Sequence, residues 1–174
     1  MPEPVSTASP NPGQQALRDA LLASHTSDVV LAQRGRGKSA LLGFVARALH
    51  ASGKRVLLTA PSRAAAHSVF RHAGGDITFL APDGILADDT VHADVLLVDE
   101  AAAISLPMLL ALLARFPRVI FASTTEGYEG TGQGFVLRFL RELDHAFRGW
   151  QRLDLPAPVR WSDGDPLETW LYRA

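Results

Sequence analysis

Two kinds of apolar pattern alternate along this chain. From Gln14 the segment QQALRDALLASH sets Leu17, Leu21 and Leu22 at helical spacing, and the short continuous apolar run DVVLA follows from Asp28. The alternation then repeats. Helices are predicted over SALLGFVARALHAS, SRAAAHSVFRHA, LPMLLALLARF and FVLRFLRELDHAF. Strands are predicted over RVLLT, ITFL, DVLLVDE, RVIFAST and QRLDL. The runs VVLA, VLLV and VIFA carry no polar alternation, which is how central strands read when helices cover both faces of a sheet. The predicted fold class is α/β, three-layered, with a mainly parallel central sheet.

Bulk composition narrows the picture modestly. The chain of 174 residues is 47% hydrophobic, enough for one domain with a sizeable core. Seventeen basic against 18 acidic residues leave a formal net charge of -1, so any nucleic-acid contact has to be local rather than global. There is no cysteine, which removes disulfides, thiolate metal sites and cysteine nucleophiles and suits a cytoplasmic location. No apolar run approaches the roughly 20 residues of a membrane span, so no membrane partner is expected. Residues 1–13, rich in Pro, Ser and Thr, read as a flexible lead-in. Residues 14–156 read as the domain, and 157–174 as an edge segment leading towards a downstream domain.

Candidate chemistry concentrates after the first strand, at Ala32-Gln33-Arg34-Gly35-Arg36-Gly37-Lys38-Ser39, just ahead of a helix. Gly35 and Gly37 let the backbone wrap phosphate oxygens, and the helix that opens through Ala40 presents free N–H groups and a positive dipole end to them. Lys38 is expected on the β and γ phosphates, and Ser39 on Mg2+. Arg34 and Arg36 flank the loop, where they can touch phosphate or stay solvated. The pattern departs from G-x-x-x-x-G-K-S/T at its first position, where Ala32 replaces glycine.

The strand VLLVDE ends in two acids, and ligands in such sheets sit beyond the carboxyl ends of the strands. Asp99 is expected to hold Mg2+, partly through water, and Glu100 to orient and deprotonate the attacking water. Adjacent acids favour hydrolysis over phosphotransfer. Ser123, Thr124 and Thr125 end the next strand, where their hydroxyls can sense a γ phosphate. Gln14 has two open readings, a reader of adenine and an exposed polar helix start. His67, His72 and His92 show no metal-ligand spacing.

Four segments together resemble the helicase-like ATPase module of the bacterial tRNA(Met) cytidine acetyltransferases: QRGRGKSALLG, VLLVDEAAAISLPMLLALL, STTEGYEGTGQGF and PAPVRWSDGDPLETWL. The resemblance implies a three-layer P-loop NTPase (RecA-like) fold, within a multidomain enzyme that acetylates N4 of the wobble cytidine of elongator tRNA(Met), using acetyl-CoA and coupling the reaction to ATP hydrolysis. It implies that Lys38, Asp99 and Glu100 are the catalytic set, with Gly35, Gly37, Ser39 and Ser123 to Thr125 on the nucleotide. It also implies an acetyltransferase domain and a second motor lobe outside this chain. Gln133 stands where the family commonly has arginine. Tyr128 is either part of a hinge or RNA-facing turn or a purely structural loop residue. In the closing segment, Arg160 and Trp161 belong to the family-like pattern, with Trp161 read as a packing anchor. The alternatives to an ATPase are a nucleotide-binding module without hydrolysis and, less favoured by the acid pair, a small-molecule P-loop kinase.

Overall fold

The computed structural model describes residues 8–75, 77–125, 131–146 and 149–155. Helix α1 spans Pro12–Ala23 and opens with a complete capping box. The Asn11 carboxamide oxygen accepts from the Gln14 N–H at 2.8 Å, and the Asn11 N–H donates to Gln14 Oε1 at 3.0 Å. Pro12 sits where its missing N–H costs nothing. The fold therefore begins earlier than the expected boundary: Asn11, Pro12 and Gly13, read as lead-in, form the start of this helix.

Six strands follow: β1 Asp28–Ala32, β2 Val56–Thr59, β3 Thr78–Phe79, β4 Val95–Val98, β5 Val119–Thr124 and β6 Gln151–Asp154. They form one sheet in the order β3-β2-β4-β5-β1-β6, every neighbouring pair parallel. Successive residues of the inner strands feed two separate cores. Val30, Ala32, Leu58, Leu97, Ile120 and Ala122 pack beneath α1, α2 (Lys38–Ala51) and α3 (His67–Ala73). Val29, Leu31, Leu96, Val98, Val119 and Phe121 pack beneath α4 (Pro82–Ala87), α5 (Leu106–Arg115) and α6 (Thr131–Ala146). This double burial is why the strands carry no polar alternation. Each fully buried aliphatic or aromatic side chain contributes on the order of 1.5–3 kcal/mol.

Several elements differ from the sequence expectation. The strand expected over ITFL is only two residues long, at the sheet edge. The helix expected over SRAAAHSVFRHA splits into a 3₁₀ turn at Ala64–Ala66 and α3. The short helix α4 has no counterpart among the predicted elements. Helix α6 starts at Thr131 rather than Phe135, so Gln133 belongs to its first turn.

The amino edge of the sheet is tied by a buried guanidinium. Arg118 donates through Nε to the Thr26 carbonyl at 2.9 Å and through Nη2 to Asp28 Oδ2 at 2.9 Å, joining the entry of β1 to that of β5. Burial pushes the Asp28 carboxyl above its ordinary range, with Arg118 opposing. The carboxyl edge is thereby left to the functional candidates.

Candidate active site

Strand β1 runs into the loop 33–37 and then into α2, so the loop is clamped between a central strand and a helix. Gly35 and Gly37 both adopt left-handed backbone, at φ of 79° and 87°. The Arg36 N–H closes the turn on the Gln33 carbonyl at 3.2 Å. Gly37 is the N-cap of α2 and offers no side-chain cap, and the first turn of the helix holds no acidic residue. The helix therefore presents its N–H groups and positive end toward the loop, an arrangement that accepts an anion.

The acids arrive from β4. Ser39 Oγ donates to Asp99 Oδ2 at 2.8 Å, and the Glu100 N–H donates to Asp99 Oδ1 at 2.9 Å. Lys38, buried at the base of α2, pairs with the Glu100 carboxylate and stands 3.9 Å from Asp99 Oδ1. Asp99 is fully buried. Burial raises its carboxyl above the ordinary range, and Lys38 and the Ser39 hydroxyl pull the other way. Glu100 holds φ 49°, the one non-glycine residue in the left-handed region among those described. That conformation costs about 1–2 kcal/mol and turns its side chain back toward Lys38.

Strand β5 lies between β1 and β4, which puts its carboxyl end between the phosphate-type loop and the acids. Ala32 pairs with Thr124, and the Thr125 N–H continues the ladder to the Ala32 carbonyl at 3.0 Å. Ser123 is fully buried and donates to the Thr124 carbonyl at 3.3 Å, while Thr124 and Thr125 are partly exposed. The methyl group of Ala32 is accommodated: the residue is buried in the core beneath α2.

A sequence model of the "RNA cytidine acetyltransferase NAT10/TcmA, helicase domain" matches residues 29–174. The chain belongs to this family. Among curated relatives, the tRNA(Met) cytidine acetyltransferase TmcA of Nitrosococcus halophilus (strain Nc4) is 44% identical over 164 residues, 84% of this chain and 22% of the relative. The TmcA of Citrobacter koseri is also 44% identical, over 97% of this chain and 24% of the relative. The chain thus spans less than a quarter of the length of these relatives. Among solved structures, the large terminase of a thermophilic bacteriophage superposes with a TM-score of 0.63 at 10% identity, over 89% of this chain and 48% of that one. Pif1 of Bacteroides sp, solved with ADP-AlF4, gives 0.53 at 13% identity over 87% of this chain and 43% of that one. At such identities the likeness is one of fold, and that fold is the P-loop, helicase-like one.

Within this helicase-like domain, Gln14 is not an exposed helix start. It is buried, and its Nε2 donates to the Gly37 carbonyl at 3.1 Å while its Oε1 completes the cap of α1. The first helix is thereby bonded to the phosphate-type loop. Arg34 is exposed, and Arg36 donates to Gln33 Oε1 at 3.1 Å within the loop. His72 binds the Ser68 carbonyl at 2.8 Å and sits edge-on to Phe44, a packing role. Tyr128, Arg160 and Trp161 lie outside the described residues. One residue is missing from the candidates read in the sequence: the carbonyl of Thr59, at the end of β2, receives the Asp99 N–H at 2.9 Å and holds the strand end that carries the acids. This is a backbone contact that any residue type supplies, so the sequence carries no side-chain signal for it.

Proposed function

We propose that this helicase-like domain binds ATP with Mg2+ and hydrolyses it. In the whole protein this hydrolysis is coupled to N4-acetylation of the wobble cytidine of elongator tRNA(Met), carried out from acetyl-CoA by a part outside this chain. The observation that carries the reading is the convergence of Lys38, Ser39, Asp99 and Glu100 within hydrogen-bond reach at the head of α2. A hydroxyl and a carboxylate 2.8 Å apart are hard oxygen donors that fit Mg2+. Mg2+ bound there would neutralise charge on the phosphate oxygens. Space above Gly35 is open, with nothing within 4 Å of where a Cβ would stand, so phosphate can approach its backbone.

The residues divide the work as follows. Incoming phosphates draw Lys38 away from Glu100, which frees the Glu100 carboxylate. That carboxylate takes a proton from water as the water oxygen bonds to the γ phosphorus, and ADP leaves with the electrons of the bridging bond. Ser123, Thr124 and Thr125 lie between the loop and the acids, where a change at the γ position reaches β5 first. A water-activating glutamate beside the Mg2+ acid would waste ATP in a kinase, which disfavours that alternative. The tRNA partner, supported by the curated relatives' names, and a cytoplasmic setting are part of the proposal.

One observation favours a second reading, a nucleotide-binding module that is silent alone. Arg34 is exposed and Arg36 is engaged by Gln33 within the loop. A transition-state cation supplied by a partner would then complete the site. Single-turnover phosphate release with and without tRNA separates the two readings. Release without tRNA that vanishes in Lys38→Ala supports the first. Binding of labelled ATP with no release under either condition supports the second.

A further inference from the structure

At the opposite edge of the sheet from the phosphate-type loop, a cleft of about 760 Å³ opens beneath the first residues of β2 and β3. Its walls are the last turn of α2, the end of α3 and the segment before β4. The floor is apolar, built by Ala46, Val56, Leu57, Ile77, Leu80 and Ala93. The rim carries Arg47, Lys54 and Arg55 together with His50 and His92, all five exposed, and no acidic side chain is among the described lining residues.

Two features near the rim reduce its charge without cancelling it. Asp94 accepts from the Arg55 N–H at 2.7 Å and stands 3.4 Å from its Nη2, which offsets one cation. The carboxyl ends of α2 and α3 meet here, each equivalent to about half a negative charge. Among the described groups, three formal positive charges against these leave an excess of about one, before the two imidazoles are counted. Two glycine positions also leave the walls approachable, since nothing lies within 4 Å of a Cβ built at Gly53 or Gly75. A concave apolar floor with a few converging charges is the form of a small-ligand site rather than of a flat docking face.

We propose that this cleft binds a phosphorylated nucleoside unit, its base on the apolar floor and its phosphate against Arg47 and Lys54. The unit is either a free nucleotide or one residue of an RNA strand. The site is separate from the phosphate-type loop and stands whether or not that loop hydrolyses ATP.

Amide spectra of the isotope-labelled 174-residue chain, titrated with AMP and with a ten-residue single-stranded RNA, test it. Saturable shifts at Gly53, Gly75 and Val91 to Ala93 are expected. The experiment is run in the Lys38→Ala background to silence the first site. The double charge reversal Arg47→Glu/Lys54→Glu is expected to weaken binding by at least about tenfold and to lower the slope of log affinity against log salt by roughly 2. Gly75→Glu adds a carboxylate to a lining position where a Cβ meets nothing within 4 Å among the described residues beyond its chain neighbours, and is expected to do the same if the double variant fails to fold. RNA shifting these amides at far lower concentration than AMP identifies a strand residue. Equal potency identifies a free nucleotide. Absence of shifts at these amides with both probes overturns the proposal, as does equal competition by polyglutamate, which would reduce the cleft to nonspecific charge.

Discussion

Replacing Gly37 by alanine probes the bond between the first helix and the phosphate-type loop. At φ 87° the new side chain stands in the left-handed region, which costs about 1–2 kcal/mol. Its Cβ would also come within 2.4 Å of Gln14 Nε2. Gln14 then has to swing away and surrenders its 3.1 Å bond to the Gly37 carbonyl, about 1 kcal/mol. It also surrenders its half of the capping box, about another 1 kcal/mol. The expected loss of stability is about 3–4 kcal/mol. Only part of it is local to the loop, so a double-mutant cycle in urea, with Gln14→Ala alone and combined, resolves the two parts. Once Gln14 is truncated the clash has no partner, and the double variant should be about 1–2 kcal/mol more stable than the sum of the singles predicts. Nucleotide affinity of Gly37→Ala should fall about five- to thirtyfold as the relaxed loop is forced back into left-handed backbone. Additivity of the two substitutions within about 0.5 kcal/mol would refute the coupling.

Other substitutions test the frame that holds the site. Gly43→Ala should destabilise by about 1–3 kcal/mol in thermal melts although alanine favours helices, because its Cβ would lie 2.6 Å from His72 Cβ and 2.7 Å from the Val69 carbonyl. Arg118→Met leaves the buried Asp28 carboxylate unpaired and should cost about 3–5 kcal/mol at pH 7, a deficit that shrinks as the pH falls and Asp28 protonates. Asp99 binds its proton more tightly folded than unfolded, so its ionisation opposes folding. The empty protein should lose stability as pH rises from the ordinary aspartate range through the raised value. Asp99→Asn should flatten that stretch of the urea midpoint against pH and abolish Mg2+-dependent turnover.

Much of this architecture is legible in the sequence, for a physical reason. Strands buried on both faces leave unbroken apolar runs such as VVLA and VLLV, and the loop and acids sit at their carboxyl ends. The start of α1 is hidden because Asn, Pro and Gly are turn residues as often as helix starters; only the reciprocal bonds of Asn11 and Gln14 distinguish the two. Helix α4 is hidden for the same reason, since PDGILA opens like a turn and buries only Pro82 and Ile85. The bond from Gln14 to the Gly37 carbonyl and the pairing of Lys38 with Glu100 join residues far apart in the chain. Their residue types are legible, but the contacts depend on how α1, α2 and β4 pack.

The role assigned to Glu100 rests on chemistry that binding alone cannot supply. Phosphate release by the wild-type chain and Glu100→Gln should be followed in single turnover, with Mg2+ and tRNA present and the bound nucleotide measured in parallel. A water-activating carboxylate predicts that the variant binds ATP at least as well, since Lys38 loses its competing partner, while release slows by about 10²–10⁴-fold. Wild-type release from a folded, nucleotide-saturated Glu100→Gln protein would contradict it.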